Sequence, residues 1–85
     1  METTYTVEAI KTQMLILKES LERRENLLND MLDNNRHQRN RILPSDEDAD
    51  EKYDDLLDEA LELRTRRDNV CMQINNIANA LLMQL

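Results

Sequence analysis

The chain has no glycine, phenylalanine or tryptophan, and only one proline, Pro44, and one cysteine, Cys71. Without glycine it cannot form a glycine-rich phosphate loop. The turn chemistry on which an all-β fold depends is missing as well. With one cysteine no internal disulfide can form, and a lone thiol points to a reducing compartment. Tyr5 and Tyr53 are the only aromatic residues. Apolar runs are no longer than that from Met14 to Leu17, bounded by Gln13 and Lys18, whereas crossing a bilayer takes ~20 apolar residues. Met1 to Thr6 is acidic and polar, without signal-peptide character. A cytoplasmic protein is the default expectation, with the nucleus as the alternative compartment.

What remains is a helix-forming composition rich in Leu, Met, Glu, Arg, Asp and Asn. At 85 residues one domain is expected, residues 1–85. A domain of this size is marginal alone and usually needs a staple or a partner. Charged residues make up 34% and the formal net charge is −7. An acidic chain is a poor ligand for phosphate backbones, which argues against nucleic acid.

Hydrophobic spacing predicts two long helices. The first is expected over about residues 5–38, capped by Thr4 or Thr6. Its apolar seam steps by three and four through Val7, Ile10, Met14, Leu17, Leu21, Arg24, Leu28 and Met31. Glu19 with Arg23 and Asp33 with His37 are spaced to pair on its polar face. Basic residues from Arg36 to Arg41 suit a helix C-terminus. A turn is expected over 39–45, because Pro44 disfavours helix at Leu43. Ser45 reads as the cap of a second helix over 46–85, with Asp48 in a box-like position and acids on the first turn. Its seam is Tyr53, Leu56, Ala60, Leu63, Arg67, Val70, Ile74, Ile77 and Leu81. The fold class is therefore all-α, an antiparallel two-helix coiled-coil hairpin. The fold-back sets Leu28 near Leu63 or Ala60, Leu17 near Val70 or Ile74, and Ile10 near Ile77 or Leu81. Arg24 and Arg67 fall at one height.

Apolar residues exceed what one facing helix can cover. Leu15 and Ile16 join Met14 and Leu17, while Ala78, Ala80, Leu82, Met83 and Leu85 join Ile74, Ile77 and Leu81. A helix apolar on most sides needs burial on most sides. The end of the hairpin away from the turn therefore reads as a protein-interaction surface, the plainer alternative being ordinary exposed Leu and Met. Leu27, Leu32, Leu57 and Leu61 form a smaller patch near the turn, as compatible with core as with interface. The seam arginines Arg24 and Arg67 either snorkel to water or meet a carboxylate, and a polar layer of that kind fixes register. The expected assembly is a four-helix bundle of two hairpins or a larger helical complex.

Residues 46–62 carry ten acids and one lysine, which reads as a solvated face or as an electrostatic contact with a basic partner. Asp46, Asp48 and Asp50 mimic the start of a calcium loop, but Glu51 stands where that loop needs glycine and Leu57 where it needs glutamate. One histidine, His37, and one cysteine, far apart in the hairpin, supply neither a metal site nor a nucleophile–base pair. The expectation is no enzyme, no cofactor and no metal.

The two-helix layout resembles small coiled-coil subunits, such as the helical-hairpin co-chaperones of type III secretion and the small subunits of cytoskeletal or kinetochore complexes. The resemblance is one of architecture and assigns no residues. It implies a protein–protein interaction module, an assembly subunit or adaptor binding itself or another helical chain. The alternatives are a small chaperone shielding a client helix, and a nucleic-acid-associated regulator using the basic stretch Arg36, His37, Arg39 and Arg41.

Overall fold

The computed structural model describes residues 6–83. Two helices, α1 (Val7–Asn40) and α2 (Ala49–Met83), pack antiparallel as a hairpin. The molecule measures 70 × 20 × 15 Å with a radius of gyration of 19.6 Å, against roughly 12 Å for a compact chain of this length. A rod of this shape has no second layer, so each helix is covered on one side at most. No helix among the described residues is long and apolar enough to cross a membrane.

Helix α1 starts at Thr6, whose hydroxyl oxygen accepts from the Ala9 amide at 3.1 Å; Thr4 lies outside the described residues. The helix ends without a left-handed glycine. Arg41 keeps right-handed geometry, and its amide is shared between the carbonyls of His37 and Gln38. The turn departs from the expected Ser45 cap. The Asp46 carboxylate accepts from the Leu43 amide at 2.8 Å, and the Asp46 amide donates back to the Leu43 carbonyl at 2.9 Å. Asp46 thus clamps the Pro44–Ser45 corner, the connection runs over 41–48, and α2 begins three residues later than expected. Asp48 makes the final reversal at φ 58°. Aspartate tolerates the left-handed region better than most residues, and a β-branched side chain does not. Asp48→Val should therefore lower the unfolding free energy by about 1–2 kcal/mol. In urea titrations, Asp48→Gly should be no less stable than the parent chain.

The core is short. Leu21 and Leu28 of α1 meet Leu63 and Val70 of α2, with Leu32, Ile74 and Ile77 packed partly against them. Ala60 is also buried. The α2 seam follows the expected spacing from Leu56 to Leu81, whereas Tyr53 is exposed.

The α1 seam differs from the expected one. Met14, Leu21 and Leu28 do turn inward, Met14 only half-buried. The alternate positions are filled by Lys18, Glu25, Leu32, Asn35 and Arg39, and Ile10, Leu17, Arg24 and Met31 are exposed. Consequently Leu17 does not reach a buried position against Val70 or Ile74, nor Ile10 one against Ile77 or Leu81. Polar links across the hairpin accompany the rotation. Asn35 is 1% exposed. Its amide donates to the Leu56 carbonyl at 2.9 Å and to Glu59 Oε1 at 3.2 Å, and its Oδ1 accepts from Arg39 Nε at 2.9 Å. Glu25 is tied to Cys71. Ion pairs on the helix surfaces join Lys18 to Glu22, Asp33 to Arg36 and Glu62 to Arg66, each worth little alone.

Candidate protein-interaction face

The rotation of α1 leaves a second heptad stripe on the flank of α1, beside the seam that packs on α2. It steps by three and four through Ile10, Gln13, Leu17, Ser20, Arg24, Leu27 and Met31, all exposed. Leu17 is 52% and Leu27 59% exposed. At 1.5 Å per residue the stripe is ~30 Å long. It borders two concavities. One, near the open end, is formed by Gln13, Met14, Ile16, Leu17 and Ser20 of α1. The other runs between the helices, with Arg24, Leu27, Leu28 and Met31 on one wall and Arg66, Asn69, Val70 and Gln73 on the other. The α2 wall is largely polar, so the apolar character of this side comes from α1.

The expected site residues divide among several surroundings. Leu15, Ile16 and Leu17 are exposed, and so is Leu82. Ile74, Ile77 and Leu81 are half-buried in the α2 seam. Leu85 lies outside the described residues. Arg24 and Arg67 do not form a layer. Arg24 lines the groove beside Leu27, while Arg67 lines a different one with Leu32, Arg36, Arg39 and Arg64. Arg67 is 3.5 Å from Asp68, with its side chain about a third exposed. The seam position expected for Arg24 belongs to Glu25. Sequence spacing missed Asn35 and Glu25 because a polar residue in a seam is recognisable only once its partner on the other helix is known. In the basic stretch near the turn, Arg39 is held by Asn35 and Arg36 lies 3.6 Å from Asp33.

Cys71 is half-buried, and its thiol donates to Glu25 Oε2 at 2.6 Å. The hydrogen bond to Glu25 raises the thiol above its ordinary value, burial and the Glu25 charge add to this, and Arg67 opposes it. A raised value means the folded chain holds the proton more tightly than the unfolded chain. The resulting stabilisation is present below the ordinary thiol range and is lost as pH rises through the folded value. Alkylation by iodoacetamide should therefore show a midpoint above that of a free cysteine. Glu25→Gln should shift the midpoint down and speed the reaction at pH 8.

Comparison of the chain with family models, curated proteins and solved structures finds no match.

Proposed function

We propose that this hairpin is a non-enzymatic coiled-coil module, an assembly subunit or adaptor that binds a helix of another protein along the exposed stripe of α1. The observation that carries the reading is the alternation around α1. One half of its apolar pattern packs on α2, and the other half, from Ile10 to Met31, runs uncovered in heptad spacing. A helix with apolar residues in two adjacent seams is shaped for two neighbours, as in bundles of three or four helices. Burying one such side chain is worth roughly 1.5–3 kcal/mol, and the isolated hairpin leaves that stabilisation unused.

Arg24 indicates the partner's character. A second α1 laid parallel in register would set Arg24 against Arg24. Laid antiparallel about Ser20, it would set Arg24 on Leu17. Neither arrangement gives the guanidinium a carboxylate. The better complement is a helix with apolar residues at heptad spacing and an acid opposite Arg24. The lone thiol and the polar surface fit the cytoplasm as the place of this assembly.

The test is retention of a co-purifying protein from cells of origin. Leu17→Glu should lose it while circular dichroism still reports the parent's helicity. Asn29→Glu, a control on the opposite face of α1, should keep it. Equal retention by both variants would refute the proposal.

A further inference from the structure

The α1 stripe is not alone on its side of the hairpin. The groove beside it has α2 as its second wall. Leu28 and Val70, both buried, line it at the seam, and beyond them Arg24 and Leu27 of α1 stand across from Arg66, Asn69 and Gln73 of α2. Two guanidiniums therefore line the groove, one from each helix, and no carboxylate does. Among the described residues Arg24 takes part in no ion pair. Arg66 holds Glu62 at 2.6 Å, but both side chains are 63% exposed, and a solvated pair of this kind contributes little and exchanges readily.

Resting on the reading of the α1 stripe as a docking face, we propose that the partner supplies a single helix seated in this groove, selected by α2 as well as by α1, and carrying an acidic residue that both guanidiniums reach. Packed helices lie roughly 8–10 Å apart and are about 10–12 Å across with their side chains. A helix laid along Leu17 to Leu27 on the side that borders α2 therefore touches the α2 wall too. The two walls make different demands. On α1, Leu17, Leu27 and Met31 take an apolar seam at heptad spacing. On α2, the amides of Asn69 and Gln73 and the Arg66 guanidinium need hydrogen-bond partners once the groove is covered. That polar wall offers no apolar seam to a second partner helix, so one helix fills the groove. A carboxylate at its centre is paired from both sides, by Arg24 and by Arg66 released from Glu62, whereas a lysine there meets two like charges. Arg66, Asn69 and Gln73 are thus specificity determinants on a helix that carries none of the apolar stripe.

The test uses a labelled three-heptad helical peptide, ~30 Å long, with leucine at its a and d positions except for one central glutamate. Two sister peptides carry glutamine or lysine at that place. Fluorescence anisotropy with the full chain reads the three affinities. The parent should bind the glutamate peptide at least about tenfold tighter than the lysine peptide, with glutamine between them. Arg66→Glu, a change on α2 alone, should reverse that order. Asn69→Glu should weaken the glutamate peptide about tenfold, and Asn75→Glu, the same substitution on α2 outside the groove, should stay within about twofold of the parent. Arg66, Asn69 and Asn75 are exposed, so helicity should hold at the parent's value. Leu17→Glu should weaken the glutamate peptide at least about a hundredfold. If Leu17→Glu does so while Asn69→Glu and Asn75→Glu bind alike, the stripe docks a helix that does not touch α2, and the proposal is overturned while the reading of α1 stands. If Leu17→Glu binds as the parent does, both fall. A parent that binds none of the peptides at ~100 μM, or binds the glutamate and lysine peptides equally, would also overturn the proposal.

Discussion

Asn35→Asp should cost about 2–4 kcal/mol at pH 7, most of the stability of a hairpin this small. The substitution keeps the size and shape of the side chain and changes only its chemistry. Asn35 donates two hydrogen bonds, to the Leu56 carbonyl and to Glu59, and accepts one from Arg39. An aspartate retains the contact with Arg39 and has no amide to donate. It would also face the Glu59 carboxylate from a position that is 1% exposed. Two carboxylates at that distance disfavour ionisation of both, which raises the value of one. Part of the loss should therefore be recovered on acidification toward pH 4, where one proton can be shared. Asn35→Leu should behave differently. It removes the polar link from a seam position and adds apolar surface, so the melting temperature should hold or rise while the α1–α2 register becomes less well defined. Thermal melts followed by circular dichroism at pH 7 and pH 4 check both variants.

Leu17→Glu should weaken partner binding at least a hundredfold with little change in stability. In the free hairpin the side chain is 52% exposed, so its replacement removes little intramolecular packing. In a complex it would lie near the middle of a ~30 Å stripe, where a few central residues usually dominate the affinity. Losing its burial accounts for roughly 1.5–3 kcal/mol, and setting a carboxylate into an apolar seam adds to this. Met31→Glu should act similarly, and less strongly because it is the last position of the stripe. Ile16→Glu reports on the open end, where Ile16 and Leu17 share one concavity.

The elements differ in how far they could be read from sequence, for physical reasons. In α2 the seam from Leu56 to Leu81 is apolar at nearly every step, with Arg67 the exception, so spacing alone identifies the inward face. In α1 the apolar residues outnumber the inward positions, and two seams share Met14, Leu21 and Leu28. The seam that packs on α2 is the one carrying Glu25 and Asn35, because those side chains find hydrogen-bond partners on Cys71, Leu56 and Glu59. No pattern within α1 reveals those partners. The start of α2 was obscured in a similar way. Ser45 has the right residue type for a cap, but Asp46 makes the bond to Leu43 that shapes the turn. The surplus of apolar residues around Met14 to Leu17 was legible, and its extension down one side of α1 to Leu27 and Met31 became visible only once α2 was in place.

Site-specific photo-crosslinking in cells of origin decides whether a helix of another protein covers the α1 stripe. A photoreactive residue at Ser20, an exposed position inside the stripe, should form a discrete adduct with a second protein. The same residue at Asn29, exposed on the opposite face of α1, should not. Leu17→Glu introduced beside the Ser20 probe should abolish the adduct. An adduct of equal yield from Asn29, or one from Ser20 that survives Leu17→Glu, would mean that the stripe is not the docking face.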